Sequence, residues 1–267
     1  GPLPLDTIGL SVNPAAITVT VTSSVANAVY VSAFVASGSA GGGMSIASYD
    51  TTVLTKLSLA PVAYWKLTEP AGSTSAADSS GNGYTLTANG TVTFGEPSVV
   101  PSDPETCVQG DGTTGYLVTS GTPALVPTGA SPVSVIAAIN MPTATPERSV
   151  ASWGAATANN LWQFEGYNYN FFFGDFGTAL QAAVPVVHQP TLVGFSYDGK
   201  TFLGFVNGQV GWRQSNLTIA ITPAPVYVMA LTGPSRFSNF PIGRVAIFAG
   251  VLAPKDWRLL MQAFTGV

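Results

Sequence analysis

The interval at which short strand-like runs recur constrains this chain more than any other feature. Val62–Thr68, Tyr84–Thr87, Thr91–Phe94, Tyr116–Thr119, Val133–Ile139, Leu161–Glu165, Tyr169–Phe173 and Leu192–Tyr197 are each a few residues long. Phe202–Val206, Leu217–Ile221, Val226–Leu231 and Val245–Phe248 continue the series, with Gly-, Pro-, Asn- or Asp-rich turns between. Many short strands at such spacing predict an all-β chain folded as an antiparallel sandwich or jelly roll. Asp198-Gly199 and Asn207-Gly208 favour the positive φ of tight hairpins and bracket one run, so three consecutive antiparallel strands are expected there. One helix is expected near the end. Pro254 suits a first helical position, Trp257, Leu260, Met261 and Phe264 form one apolar stripe, and Gly266 can stop it.

The chain divides by composition into residues 1–60 and 61–267. Ile17–Thr22 alternates strictly, Val29–Val35 alternates again, and Val53–Leu59 reads as a third strand or a short helix. Three short strands make a poor independent core, so the first segment is expected to attach to the rest of the chain or to another subunit. Thr7 to Tyr49 carries no charge, but its most apolar part is short, β-branched and interrupted by Asn27 and Ser32, which argues against membrane insertion. No basic residue precedes Lys56, so no secretory signal is expected.

Charge narrows the function. Nine Lys and Arg stand against thirteen Asp and Glu, and charged residues make up 8% of the chain, where roughly 25% is usual. Nine scattered cations cannot neutralise a run of phosphates, which excludes a nucleic-acid partner. A surface of Ser, Thr, Asn and Gln has few long side chains to immobilise and little repulsion between copies, which suits a homo-oligomer packed in many copies. Cys107 is the single cysteine and His188 the single histidine. An inert thiol and a loop imidazole are expected, because no nucleophile elbow accompanies them.

Three ordered motifs carry a resemblance. Val62-Ala-Tyr-Trp-Lys-Leu-Thr-Glu-Pro-Ala-Gly, running on to Asp78-Ser-Ser-Gly-Asn-Gly83, resembles the opening of laminin-G-like, concanavalin A-like jelly rolls. Tyr197–Gly208 is similar to the family's hairpin ending in Val-Asn-Gly, and Val245-Ala-Ile-Phe with the Pro254 helix looks like its closing strand and helix. Wording and order are closest to such domains in minor tail and decoration proteins of tailed phages. The resemblance covers about 61–267 and implies a lectin-like jelly roll with a C-terminal helix. Family members often carry an acidic pair before the closing strand. Gly243 and Arg244 stand there in this chain.

Candidate sites follow. Asp78, Asn82 and Asp111 could contribute oxygens to calcium, although Asp78-Ser-Ser-Gly reads equally as a self-bonded Asx turn. Residues 161–176 hold eight aromatics, for which sandwich core is the first reading; Trp162, Tyr167 and Trp212 are the candidates for exposed glycan contacts. A glycosidase needs two carboxylates facing each other across a cleft. The resembling glucanases place theirs on one strand as Glu-x-Asp-x-x-Glu. Here Glu165 stands alone on its strand, Asp175 lies beyond the next, and Asp103 with Glu105 shares a Pro-rich loop. No catalytic residue is therefore assigned and no resident cofactor beyond a calcium is expected. Trp65 and Trp257 are expected in the core.

Three functions compete. The first is a non-enzymatic virion protein, a minor tail or head-decoration protein that displays the jelly roll for host attachment and contacts other virion proteins through residues 1–60. The second is a cellular or secreted glycan-binding module. The third, a glycosidase, is disfavoured by the carboxylate pattern.

Overall fold

The computed structural model describes residues 8–13, 16–21, 48–141, 146–167, 170–174, 180–182 and 189–267. The chain forms two compact units, with the division between Ile46 and Ala47. In the first unit β1 (Ile8–Asn13) pairs antiparallel with β2 (Ala16–Val21), from Ile8↔Val21 to Asn13↔Ala16. The alternation of Ile17–Thr22 is thus a strand within one residue, whereas the expected strand Val29–Val35 lies outside the described residues.

The second unit is a β-sandwich of two antiparallel sheets. The outer sheet runs, edge to edge, through β13 (Leu180–Ala182), β12 (Asn170–Gly174), β11 (Leu161–Tyr167), β10 (Arg148–Gly154), β17 (Tyr227–Val228), β8 (Tyr116–Thr119), β5 (Leu86–Asn89) and β4 (Ser75–Ala76). The inner sheet runs through β16 (Gln209–Gln214), β15 (Phe202–Val206), β14 (Thr191–Tyr197), β9 (Val133–Ile139), β18 (Pro241–Phe248), β7 (Cys107–Gly110) and β6 (Val92–Glu96), with β3 (Ala63–Trp65) also pairing with β18. The two turns at Asp198-Gly199 and Asn207-Gly208 produce the expected run β14–β15–β16.

Period-two alternation explains the packing. Val133, Val135, Ala137 and Ile139 of β9 point between the sheets, alongside Trp65, Phe195, Val245 and Ile247, to meet Leu86, Leu117, Trp153, Trp162 and Phe164 of the outer sheet. The intervening Ile136 and Ala138, with Tyr64, Ala246 and Phe248, point the other way into a second apolar layer. That layer is closed by α1 (Tyr49–Thr55) and α2 (Pro254–Thr265), so the central strands β14, β9 and β18 of the inner sheet are buried on both faces. Trp65 is 0% exposed and its Nε1 donates to the Tyr84 carbonyl. Trp257 stacks on Phe205 with ring centroids 3.9 Å apart and planes 11° apart. Its ring lies over Gly194, where an added Cβ would come within 2.7 Å of the indole. Both tryptophans are core, as the sequence predicts.

The boundary at residue 60 falls too late. The segment from Ala47 onward belongs with the sandwich unit, and the run at Val53 is part of a helix that starts at Tyr49. Tyr49 and Val53 are fully buried in the second apolar layer, with Tyr49 edge-on to Phe264 at 6.1 Å. Ser58 donates its backbone N–H and its hydroxyl to Asp256 of α2, whose carboxylate also accepts from the Ala253 N–H. Asp50 contacts Arg244 Nε at 3.0 Å and Lys66 Nζ at 2.8 Å, and accepts from the Tyr64 hydroxyl. Leu217–Ile221 also departs from expectation. Its N–H groups donate to Lys200, Asn159 and Gly129, three different segments, so it forms one isolated bridge rather than a strand.

Two stability tests follow. Trp65→Ala is expected to cost ~3–5 kcal/mol in a thermal or denaturant melt, as large-to-small core changes do. A chain starting at Ala47 is expected to keep the sandwich's cooperative transition. A chain starting at Pro61 loses Asp50 and half the helical layer and is expected to melt well below it, since breaking a buried ion pair alone costs ~3–5 kcal/mol. Equal melting of the two truncations would remove α1 from the account.

Candidate functional site

Side chains directly opposite in an antiparallel pair share a face. Thr87, Val118, Tyr227, Ser152 and Gln163 follow one register row across the outer sheet, and Asn89 faces Tyr116 two positions along. The neighbouring row, Leu117, Val228, Ala151 and Phe164, points into the sandwich. This first row therefore lies on the face turned away from the core. Tyr116 sits between two other half-exposed rings, 5.9 Å from Tyr227 and 6.0 Å from Phe237 by centroid. Phe237 comes from the segment between β17 and β18. That segment folds back along β10: Met229 donates to the Val150 carbonyl, Ser149 to the Arg236 carbonyl and Ser152 Oγ to the Ala230 carbonyl.

A polar network holds Phe237 in place. Arg236, in left-handed backbone at φ 50°, pairs with Glu165 at 2.7 Å and Glu147 at 2.9 Å. Arg148 donates from Nη1 to the carbonyls of Gly112 and Phe237. Glu165 is 1% exposed. Burial pushes its carboxyl up to about 7, with Arg236 pulling the other way. Glu165 thus stands alone on its strand, but Glu147 from another segment reaches the same guanidinium. Both carboxylates are tied to Arg236.

The residues singled out from the sequence fall elsewhere. Trp162 is 1% exposed and packs on Phe195, Tyr197 and Phe202, so it is core and offers no face for a sugar. Trp212, on edge strand β16, is half-buried against the same core. Tyr167 ends β11, and its side chain lies outside the described residues, as do Asp175 and His188. Asp78 accepts from the N–H groups of Tyr64, Ser80 and Tyr84, and Asn82 donates to the Val62 carbonyl, which binds the Asp-Ser-Ser-Gly-Asn-Gly turn onto β3. Asp111 accepts from the N–H groups of Thr113, Thr114 and Gly115 and from both threonine hydroxyls; these bonds, led by Thr114, hold its carboxyl far below the usual range. Each carboxylate closes its own turn, and the hydrogen bonds of Asp111 do not reach Asp78 or Asn82. The Asx-turn reading describes Asp78. Cys107 is buried, its thiol pushed up to about 12 by burial.

Three other carboxylates do converge. Oxygens of Asp50, Asp103 and Glu105 lie within 4.8 Å of one another. Arg244, 1% exposed, reaches Asp103 at 2.8 Å and Glu105 at 3.1 Å through Nη2 and Asp50 through Nε, and its Nη1 donates to the Lys66 and Thr106 carbonyls. The guanidinium occupies the place a cation would take. The Pro-rich loop with Asp103 and Glu105 is thereby a structural clamp.

No family model matches the chain, and no curated protein matches it in sequence. Solved structures do match in fold. The binding domain of botulinum neurotoxin serotype G superposes with a TM-score of 0.57 at 10% identity, over 75% of this chain and 50% of that one. The binding domain of Paraclostridial Mosquitocidal Protein 1 gives 0.59 at 12% identity, over 76% and 52%. Domain 4 of AbnA, an extracellular arabinanase from Geobacillus stearothermophilus in complex with arabinotriose, gives 0.56 at 16% identity, over 76% and 98%. The chain spans about half the length of the toxin domains. At these identities the similarity is one of fold alone, a β-sandwich.

Glu165 supplies a pH test. A carboxyl raised in the folded state stabilises the fold while protonated. That contribution is complete below its ordinary 4.5 and is lost as the pH rises to about 7. Relative to the parent, the melting temperature of Glu165→Gln is expected to rise across that window and level off above it. A difference that does not change with pH would mean that the Glu165 carboxyl titrates in the fold as it does in the unfolded chain.

Proposed function

We propose that this chain is a non-catalytic binding module whose outer sheet presents the Tyr116, Tyr227 and Phe237 rings to a glycan. The observation that carries this reading is a set of three half-exposed aromatic rings, Tyr116 in contact with both Tyr227 and Phe237, on the coreless face of a sandwich. Sugar rings lay their C–H faces on such rings, and Asn89, Thr87 and the phenols supply hydrogen bonds beside them. Against hydrolysis stands the use of Glu165 and Glu147 as the two arms of one Arg236 ion-pair network, with Glu165 shut away from substrate.

The finer reading is a virion protein of a tailed phage, in minor tail or head-decoration position, with the sandwich outward and the N-terminal segment on other virion proteins and on further copies of itself. Its support is the resemblance of the three sequence motifs and a chain with 8% charged residues. A purified particle containing the chain in fixed stoichiometry would support this placement, and a particle that assembles unchanged without residues 1–46 would count against it.

The binding reading is tested on a glycan array with the full chain. Tyr116→Ala and Tyr227→Ala are each expected to weaken the best hit by roughly tenfold or more, a loss of about 1.4 kcal/mol. Release of reducing ends from polysaccharide by the purified protein, abolished by Glu165→Gln, would replace the binding module with an enzyme.

A further inference from the structure

Two guanidinium groups in this sandwich are gripped in the same way and differ in what meets the rest of the group. Arg244 donates from Nη1 to the carbonyls of Lys66 and Thr106, while its Nη2 and Nε meet the carboxylates of Asp103, Glu105 and Asp50. Arg148 likewise donates from Nη1 to two carbonyls, those of Gly112 and Phe237. There the likeness stops. Among the described residues no carboxylate pairs with Arg148. Its Nε is buried without a hydrogen bond, and its Nη2 has no partner either and is not enclosed. A guanidinium carries five N–H donors. In Arg148 the two on Nη1 are used, and the three on Nε and Nη2 are not.

This donor edge belongs to the rim of the aromatic platform. Arg148 Nη1 lies 2.7 Å from the carbonyl of Phe237, whose ring is 6.0 Å from that of Tyr116. Gly112 brings a second polar side chain to the same place: a Cβ added there would meet Asn239 Cβ at 2.8 Å and Arg148 Nη1 at 3.5 Å. Asn239 Oδ1 is also buried without a hydrogen bond. The neighbouring charges do not neutralise Arg148. Glu147 and Glu165 are both paired with Arg236, the other cation beside the rings. Asp111 precedes Gly112, but its carboxylate accepts five hydrogen bonds from its own turn, and it is exposed, where water and salt damp its field. The planar edge formed by Nε and Nη2 matches the two oxygens of a carboxylate, the group that fills the same edge of Arg244. A ligand carboxylate on Nη2 brings its second oxygen toward Nε and gives that buried donor an acceptor. A neutral sugar supplies no counter-charge. A polysulfated chain needs several cations in a row, and Arg236 is already engaged.

We infer that the Nε–Nη2 edge of Arg148 is a carboxylate subsite of the platform, which takes an acidic sugar with its carboxylate on Arg148 and its ring on Phe237 and Tyr116. This rests on the binding reading above, and the test separates the two. The full chain is titrated calorimetrically at low and high salt with two matched pairs, trigalacturonate against its methyl ester and sialyllactose against lactose. The pairs distinguish a uronic from a sialic source of the carboxylate. The same titrations are run on Arg148→Gln, Arg148→Lys and Tyr116→Ala, with circular dichroism to confirm each fold. The expected result is one acidic probe bound roughly tenfold or more tighter than its neutral partner, an advantage that shrinks with salt. It is expected to vanish in Arg148→Gln and to return in part in Arg148→Lys, which restores the charge without the planar edge. Tyr116→Ala is expected to weaken acid and neutral partner alike. The parent chain gives a readout that needs no substitution: the Arg148 Nε–H proton resonance is expected to move with the acid and to stay with its neutral partner. Acid and neutral partner bound equally by the parent would overturn the carboxylate subsite and leave the platform in place. A preference kept in folded Arg148→Gln, or an Arg148 resonance that ignores the acid, would overturn its assignment to Arg148. Binding unaffected in a folded Tyr116→Ala chain would overturn the platform itself. Binding of no glycan in this panel or on the array would overturn the binding reading and the subsite with it.

Discussion

A guanidinium that cannot shed its proton is buried in the sandwich unit, and much of that unit is arranged around neutralising it. Arg244 is 1% exposed. Desolvating such a group costs several kcal/mol unless partners surround it. Its partners come from three places in the chain: Asp50 in α1, the Lys66 carbonyl beyond β3, and Asp103, Glu105 and the Thr106 carbonyl in the loop before β7. Burial opposes the charge on Asp50, but bonds from Lys66 and Tyr64 and the charge of Arg244 outweigh it and keep its carboxyl below the usual range. Arg244 itself sits at φ 54° inside a register shift between Gly243 and Ala246, which lifts it out of the regular pairing of β18 with β9. The position that departs from the jelly-roll pattern in sequence is thus a reversal of sign: the cation is on the strand and the carboxylates arrive from elsewhere.

The two sheets solve different problems. The inner sheet has apolar residues on both faces because helices cover the side away from the sandwich. The outer sheet is apolar inward, while its other face carries Ser149, Ser152, Gln163 and Glu165, all buried, beside half-exposed rings. Buried polar groups need partners, and the segment between β17 and β18 supplies several by lying back over β10. The rings are therefore placed by a hydrogen-bonded and ion-paired scaffold rather than by their own packing.

Most strands were legible because alternation and turn chemistry agree. Tyr116–Thr119, Val133–Ile139 and Phe202–Val206 coincide with β8, β9 and β15. β10 was not legible: in Arg-Ser-Val-Ala-Ser-Trp-Gly the polar residues look solvated, and a register shift at Ser149/Ala151 breaks the period. β7 and β16 failed for a similar reason, being short or half-exposed. The dense aromatic stretch drew attention to Trp162, yet its alternation with Gln163 already placed the indole on the core face. The platform was hidden because its rings lie at 116, 227 and 237, joined only by strand order. The one available signal was alternation, which sets Tyr116 against Leu117 and Tyr227 against Val228. Asp50 was hidden too, since nothing local says that a helix near residue 50 will meet a strand near 244.

The helical layer also sets an order of events in synthesis. α1 is the first element of the sandwich unit to leave the ribosome and α2 the last, yet each covers the apolar side of the inner sheet beside the other. Asp50 has Tyr64 and Lys66 close behind it in the chain but meets Arg244, as Ser58 meets Asp256, only about 200 residues later. Contacts of such separation make for slow closure. Until α2 emerges, the nascent chain holds a partly formed sheet with one greasy side uncovered, so it is during translation, more than after it, that this chain needs protection from its neighbours.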